Sequence, residues 1–307
     1  MDNESIVTTL AVSPNGNYVF YGTEDGIFCR FDNSSNDVMA YNMKNGIIFV
    51  NVSMDSSAVV FCNSYAVYVC SVDNFDDVST FRKLDIGCDM VVYATFSCDC
   101  QYIIGVTSFG DVNRWDATTG YCERMFKVDN ESCLVTAAVL SKDEKLLAVT
   151  THGGYIQVYD MLTHVMKFSS GTGIYMNDAI AFSDCGRYIA AAVVTATNDD
   201  DDNVTNAVTV WDTRNMYSEY TLFSPIGDND NTVTCITFTP DSKHVICSND
   251  NHSIVIASMD KGVNKYGKII YSHAVYNVAV DPLDDTHIYA MGLLSTLGYE
   301  DISKLLF

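Results

Sequence analysis

Residues 7–32 read VTTLAVSPNGNYVFYGTEDGIFCRFD and contain three apolar runs separated by polar residues. The segment SPNGN lies between the first and second runs, and TEDG precedes the third. Gly, Pro, Asn, Asp and Ser are the residues that favour tight turns. Short apolar and aromatic runs bounded by such residues are typical of consecutive β-strands joined by turns.

The pattern of strand, polar turn and apolar strand occurs seven times along the chain. The residue before the turn marks each copy: Val12, Val52, Phe96, Leu140, Phe182, Phe238 and Val280. Successive copies are 40, 44, 44, 42, 56 and 42 residues apart. A period of about 40–45 residues is typical of a four-stranded propeller blade. The sequence therefore predicts an all-β fold, a seven-bladed β-propeller of four-stranded antiparallel blades, in one domain over residues 1–307.

The one long interval, between the fifth and sixth copies, contains the acidic tract TNDDDDNVTN. We expect an insertion over residues 196–206 in blade five. A calcium loop of the EF-hand type would need a Gly and a distal Glu, and the tract has neither. The tract is therefore predicted to be a solvated acidic loop.

A third strand follows six of the copies, and in four of them it ends in an aromatic residue and Asp. These pairs are Phe31-Asp32, Trp115-Asp116, Tyr159-Asp160 and Trp211-Asp212. A third strand that ends in Trp-Asp after a tight Gly turn resembles the WD40 repeat, and the resemblance covers about residues 6–307. It implies a rigid propeller whose loops bind other proteins.

The chain departs from that family in its polar residues. It has no Gly-His dipeptide, and the Asp of the tight turn is retained clearly only as Asp25. The hydrogen-bond network that the resemblance implies among these residues is therefore mostly missing. We expect side-chain packing to hold the blades instead.

The charge of the chain excludes several classes of partner. Asp and Glu number 39 against 17 Lys and Arg, a net charge of −22. Binding to phosphate backbones or anionic membranes needs clustered Lys and Arg, so we expect no direct nucleic-acid partner and no membrane insertion. The start, MDNESIVTTL, lacks the basic and apolar regions of a signal peptide. We expect the protein in the cytoplasm or the nucleus.

Neither the Cys nor the His residues form a recognisable site. The eleven Cys include no Cys-x-x-Cys pair, and most lie in apolar runs where a thiol packs as a small apolar group. Cys98 and Cys100 are the closest pair, and on a strand their side chains would share one face. The six His are scattered, and the chain lacks the nucleophile-elbow, zinc-protease and phosphate-loop motifs. The sequence therefore predicts no catalytic residues, no metal ligands and no cofactor.

The acidic residues are distributed unevenly. In the resembled family, the turns between second and third strands and the links between blades open on one face. Twelve acidic residues fall in such segments, which contain no Lys or Arg. They are Glu24, Asp25, Asp85, Asp89, Asp129, Glu131, Asp199, Asp200, Asp201, Asp202, Asp228 and Asp230. One-sided negative charge speeds encounter with an oppositely charged partner, so a basic protein or peptide is expected here.

Two functions of different classes remain open. The first is a non-enzymatic protein-interaction scaffold, a subunit or adaptor of a multiprotein complex, which binds partners through the acidic face and the blade edges. The second is a hydrolase or lyase that uses acidic residues at the central channel. Converging acidic or His side chains with perturbed pKa values would favour the second function.

The last blade is expected to be incomplete. After Val275–Val280 and Thr286–Met291, the remaining residues GLLSTLGYEDISKLLF allow one more strand, which we place at Asp301–Phe307. The open edge would then be exposed or completed by a strand from a partner. Alternatively, Ile302, Leu305 and Leu306 belong to a short capping helix, or the native chain continues past Phe307.

Overall fold

The computed structural model describes residues 5–63, 65–87, 89–129, 134–171, 175–196, 204–223, 232–259, 266–292 and 297–306. These residues form 27 β-strands and two short 3-10 helices, Val78–Thr80 and Ser303–Leu305. The chain divides into two compact units. The first contains residues 1–129, 281–284 and 291–297, and the second contains residues 130–280, 285–290 and 298–307.

The first unit contains three antiparallel sheets, each built from four strands that are consecutive in sequence and here called a blade. Blade one comprises β1 (Val7–Val12), β2 (Tyr18–Thr23), β3 (Ile27–Asp32) and β4 (Val38–Asn42). Blade two comprises β5 (Ile47–Val52), β6 (Ala58–Asn63), β7 (Ala66–Ser71) and β8 (Arg82–Leu84). Blade three comprises β9 (Val91–Phe96), β10 (Tyr102–Thr107), β11 (Asp111–Asp116) and β12 (Cys122–Lys127).

The second unit contains three further four-stranded blades. Blade four comprises β13 (Val135–Leu140), β14 (Leu146–Thr151), β15 (Tyr155–Asp160) and β16 (Met166–Gly171). Blade five comprises β17 (Tyr175–Phe182), β18 (Tyr188–Ala196), β19 (Val204–Asp212) and β20 (Asn215–Phe223). Blade six comprises β21 (Val233–Phe238), β22 (His244–Asn249), β23 (Ser253–Ser258) and β24 (Tyr266–Ile270).

The seventh blade has three strands in the described residues, in the order β25 (Val275–Val280), β26 (His287–Gly292) and β27 (Leu297–Asp301). The expectation of an incomplete last blade is confirmed, but its third strand is not Asp301–Phe307. Strand β27 instead ends at Asp301, and the 3-10 helix follows with Ile302 and Leu306 at its two caps. The capping alternative, which placed Ile302, Leu305 and Leu306 in a short helix, is therefore correct for Leu305. Leu305 packs so closely on blade six that a Cβ added to Gly267 would lie 2.7 Å from its Cδ2 atom.

Buried apolar side chains pack between neighbouring blades. In the first unit, the rings of Phe28 and Phe61 stack with their centroids 3.9 Å apart, which joins blades one and two. Trp115 is fully buried in a cluster with residues of blades two and three, Leu84 among them. In the second unit, Trp211 lies in a cluster that joins blades four and five. As expected, packing of apolar side chains holds neighbouring blades together at each of these contacts.

A buried hydroxyl also organises the turn between the first and second strands of six blades. In blade four, Ser141 accepts a hydrogen bond from the Leu146 N–H at 2.9 Å and donates one to the Asp143 carboxylate at 2.8 Å. The corresponding hydroxyls, each accepting from the residue five positions later, belong to Ser13, Ser53, Ser97, Ser183 and Thr239. This repeated turn supplies polar contacts that the sequence analysis did not anticipate.

The Asp that ends the third strand caps the turn that follows. The Asp116 carboxylate accepts hydrogen bonds from the Thr118 N–H at 3.0 Å and the Thr119 N–H at 2.6 Å. These bonds, the one from the Thr119 N–H foremost, lower the pKa of Asp116. Asp32 and Asp160 cap their turns in the same way. The Asp of the Trp-Asp pattern is therefore a structural residue.

The insertion in blade five is partly a longer hairpin. Strands β18 and β19 have nine residues each and remain paired as far as Ala196 and Val204. Residues 197–203, which include Asp199, Asp200, Asp201 and Asp202, lie outside the described residues.

Candidate interaction surface on the upper loops

Hydrogen bonds show which loops lie at the same end of a blade. In blade one, the Met43 N–H in the link to blade two donates to the carbonyl oxygen of Gly26, in the turn between β2 and β3, at 2.8 Å. In blade three, the Val128 N–H donates to the carbonyl oxygen of Gly110 at 2.8 Å. The turns between second and third strands therefore lie beside the links between blades. We call these segments the upper loops, and the other turns the lower turns.

Five of the twelve predicted acidic residues lie in upper loops of the first unit: Glu24, Asp25, Asp85, Asp89 and Asp129. All except Asp89, which is half-buried, are exposed. The other seven lie outside the described residues: Glu131, Asp199, Asp200, Asp201, Asp202, Asp228 and Asp230. The prediction that all twelve form one binding face thus stays a prediction.

Asp25 holds its own loop together. Its carboxylate accepts hydrogen bonds from the hydroxyls of Ser5 and Thr23, and these bonds, Ser5 foremost, lower its pKa. The Thr23 hydroxyl in turn accepts a hydrogen bond from the Ile27 N–H at 3.0 Å. Asp25 therefore fixes the shape of the turn that presents Glu24 to solvent.

Asp85 is positioned by the link and by the core. One carboxylate oxygen accepts a hydrogen bond from the Gly87 N–H at 3.0 Å. Its backbone carbonyl oxygen accepts a hydrogen bond from the indole N–H of the buried Trp115 at 2.7 Å. Gly87 has a φ of 65°, a left-handed conformation that glycine adopts without strain. The exposed Asp85 therefore lies on a backbone that is held in place.

In their ion pairing, the acidic residues of these loops differ from those in the lower turns of the second unit. Among the described residues, none of the ion pairs includes Glu24, Asp25, Asp85 or Asp89. The lower turns of the first unit also contain acidic residues outside the ion pairs of the described residues, Asp37 and Asp76 among them. The structure adds one cation to the upper loops, because the exposed Lys44 lies in the link from blade one to blade two. Lys83, in β8, lies at the same end of blade two. The five acidic residues of the upper loops outnumber these two lysines, so the charge of the loops is negative.

The lower turns of the second unit contain acids and bases in pairs. Arg187 binds Asp212 with a nitrogen–oxygen distance of 2.8 Å, and Lys142 binds Asp184 at 2.5 Å. Three further pairs are Lys145–Asp143, Lys167–Asp160 and Lys243–Asp241. Their charges largely cancel, unlike those of the upper loops described above.

Exposed apolar side chains accompany the acidic residues, and sequence reasoning missed them. Tyr65, in the turn between β6 and β7, is 69% exposed, and Phe109, between β10 and β11, is 51% exposed. Met90, in the link to blade three, is 38% exposed. Tyr and Phe also fill the core of this protein, so their type gave no signal. Only their position within short turns could have indicated exposure.

A shallow pocket lies on blade two at this end. It is lined by Tyr65, Lys83, Leu84, Asp85, Ile86 and Gly87. Leu84 is buried and forms the apolar part, while Tyr65, Lys83 and Asp85 present polar groups to solvent. The pocket therefore combines an exposed aromatic ring, a carboxylate and an ammonium group.

Metal-binding chemistry finds no support in the described part of the chain. No group of three His, Cys, Asp or Glu side chains there is placed to hold a metal ion. Cys98 and Cys100 lie in the turn between β9 and β10 rather than on a strand, and Cys100 has a φ of 58°. This position agrees with the repeat, which places a turn directly after Phe96. Within the same residues, no helix has the length and apolar character needed to cross a membrane.

Comparison with known proteins supports the family resemblance. Residues 220–261 match the family described as WD40: WD domain, G-beta repeat. A search of curated proteins found no matching sequence.

Two solved structures are similar over nearly the whole chain. Hydrazine synthase from Kuenenia stuttgartiensis superposes with a TM-score of 0.81 and 16% identity, covering 96% of this chain and 95% of that one. The Cps50 (Swd1) β-propeller domain from Myceliophteria thermophila superposes with a TM-score of 0.73 and 14% identity, covering 94% of each chain. At these identities the likeness shows the fold alone. The predicted fold and the resemblance are both confirmed: the chain is a seven-bladed β-propeller with a WD40 repeat at residues 220–261.

Proposed function

We propose that this protein is a non-enzymatic protein-interaction scaffold that binds a basic segment of a partner through the upper loops of its first unit. It would act as a subunit or adaptor of a multiprotein complex in the cytoplasm or nucleus. WD40 propellers generally bind other proteins. The observation that carries the proposal is the presence of exposed carboxylates and exposed aromatic side chains in upper loops of the same unit, with Asp85 and Tyr65 lining one pocket.

The distribution of ion pairs favours the upper loops over the lower turns of the second unit. Glu24 and Asp89 take part in none of the ion pairs of the described residues, whereas the lower turns of the second unit pair their acids with bases. Carboxylates without a cation of their own leave a negative field that attracts a basic partner.

The pKa shifts of the acidic residues favour binding over catalysis. A general acid at neutral pH needs a carboxyl group with a raised pKa. Every Asp for which a shift is resolved in the described residues has a lowered pKa, as for Asp25, Asp55 and Asp116. One similar structure carries the name of an enzyme, but at 16% identity that likeness concerns the fold.

The test measures association with a fluorescent synthetic peptide of alternating lysine and serine residues by stopped-flow mixing. The variant Glu24→Gln/Asp89→Asn/Asp129→Asn removes three charges from the upper loops. It should slow association about three- to ten-fold at low salt, and the difference should shrink as salt screens the charges.

A matched control removes three charges elsewhere in the same unit, with Asp37→Asn/Asp73→Asn/Asp76→Asn. These residues are exposed in the turns between third and fourth strands of blades one and two. The control has the same net charge as the test variant. Any difference between their association rates is therefore due to the position of the removed charges. Equal association rates for both variants would overturn the proposed surface.

A further inference from the structure

The pocket on blade two pairs an aromatic ring with a carboxylate. Tyr65 is 69% exposed, and its backbone N–H donates to the side-chain oxygen of the buried Asn63 at 3.0 Å, which fixes the turn. Asp85 is fixed through the Gly87 N–H and the Trp115 indole. Beside Gly87 lies open space, since a Cβ added there would meet no atom within 4 Å. An exposed ring on a hydrogen-bonded turn and a carboxylate held by the Gly87 N–H therefore border an accessible volume.

The chain's own arginines show what such a pair of groups binds. Arg187 lies over the ring of Tyr188, with 4.8 Å from its Cζ to the ring centroid, and pairs with Asp212 at 2.8 Å. Arg114 likewise lies 4.5 Å from the Tyr102 centroid and pairs with Glu123. In each case a guanidinium group stacks on a tyrosine and binds a carboxylate.

In the blade-two pocket the tyrosine and the carboxylate are present, and the arginine is not among the lining residues. We infer that this pocket is a guanidinium subsite that accepts an arginine side chain of the basic partner. The inference rests on the proposed function and deepens it, because it names the residue that the partner must place there.

Arginine fits this pocket better than lysine for a physical reason. A guanidinium group is planar, weakly hydrated and able to stack on an aromatic face while it donates to a carboxylate. An ammonium group is compact and strongly hydrated, so it gains less from the Tyr65 ring. Lys83 also lines the pocket and repels lysine and arginine side chains alike. The contact with the Tyr65 ring is therefore what should make arginine bind more tightly than lysine.

The test compares two synthetic peptides: the lysine–serine peptide and the same peptide with one central arginine. Fluorescence anisotropy at physiological salt gives the affinity of each for the full chain. We expect the arginine peptide to bind about three- to five-fold more tightly, as stacking plus an exposed ion pair permits. Tyr65→Ala and Asp85→Asn should each remove most of that preference, and Lys83→Met should increase the affinity for the arginine peptide.

The matched control for the ring is Tyr121→Ala, because Tyr121 is equally exposed, at 71%, in a lower turn of the same unit. It should leave the arginine preference unchanged. A preference that persists in Tyr65→Ala, or equal affinity of both peptides for the unmodified protein, would overturn the subsite while leaving the proposed function intact. If neither peptide binds, the proposed function fails and the subsite falls with it.

Discussion

The indole N–H of Trp115 donates a hydrogen bond to the backbone carbonyl oxygen of Asp85 at 2.7 Å. Trp115 is the residue of the Trp-Asp pattern in blade three and is fully buried, whereas Asp85 is exposed in an upper loop. Gly105 makes room for the ring, since a Cβ there would lie 2.7 Å from the Cζ3 atom of Trp115. The packed core thus sets the position of a residue in the proposed binding surface.

Replacing Trp115 with Phe should loosen the link that contains Asp85. The variant keeps an aromatic ring but leaves the Asp85 carbonyl oxygen without its donor, which costs about 1–3 kcal/mol when the group is buried. Urea denaturation measures the loss, and hydrogen exchange of the Gly87 amide should become faster. Asp85→Asn keeps the carbonyl oxygen and should change stability by no more than about 0.5 kcal/mol. Equal stability of Trp115→Phe and the unmodified protein would contradict this role.

Replacing Ser141 with Ala should destabilise the protein more than a substitution at an exposed turn residue does, because Ser141 is buried. The hydroxyl is 1% exposed and serves as acceptor for the Leu146 N–H and donor to Asp143. Its removal leaves the amide unsatisfied, at a cost of about 1–3 kcal/mol. As a control, Ser34→Ala removes an exposed hydroxyl that donates to Asp32, and should cost about 0.5 kcal/mol or less. Thermal unfolding of the two variants distinguishes the outcomes.

Asp55 should make the stability of the protein decrease at acidic pH. Hydrogen bonds from Ser53, and then from the Ser57 amide and hydroxyl, lower the pKa of Asp55 from 3.8 to about 2. A lowered pKa stabilises the folded state above the unfolded value, and the contribution is lost as the pH falls through the folded value. Stability should therefore decline between about pH 4 and pH 2. Carbon-detected NMR titration should show the Asp55 pKa rising toward 3.8 in Ser53→Ala, and an unchanged pKa would contradict this cause.

The last blade should exchange its amides faster than its neighbours. Strand β27 is the last strand of a three-stranded sheet in the described residues, whereas β23 lies between β22 and β24. We expect amides of Leu297–Asp301 to exchange about ten-fold faster than those of Ser253–Ser258, because an edge strand opens more readily. Hydrogen exchange with mass spectrometry makes the comparison. Equal protection of the two segments in the isolated chain would exclude an accessible edge.

Local patterns predicted the blades well because each repeat has its own turn residues. The strand ends at Val12 and Val280 are where the sequence placed them. The third strand of blade seven was misplaced, since Gly298 interrupts its pattern while the apolar Leu305 lies in the helix beyond it and Leu306 caps that helix. Turn-capping hydroxyls went unrecognised because Ser and Thr occur throughout the chain.

The candidate surface was predictable only in part. Glu24 and Asp85 could be assigned to upper loops because the repeat fixes where those loops fall. Tyr65 is exposed because its turn is too short to bury the ring. The pocket beside it also needs Asp85, Ile86 and Gly87, which lie in the link after β8. Such contacts between segments distant in sequence do not follow from composition or spacing.

A basic partner that binds the upper loops of the first unit should protect their amides from exchange. Hydrogen exchange of the full chain, with and without saturating arginine-containing peptide, tests this binding site because it measures the protection of all segments in one experiment. We expect slower exchange in residues 24–26, 85–87 and 108–110, and no change in the lower turns at residues 33–37 and 117–121. Protection of the lower turns with none in the upper loops, while the peptide is bound, would contradict this binding site.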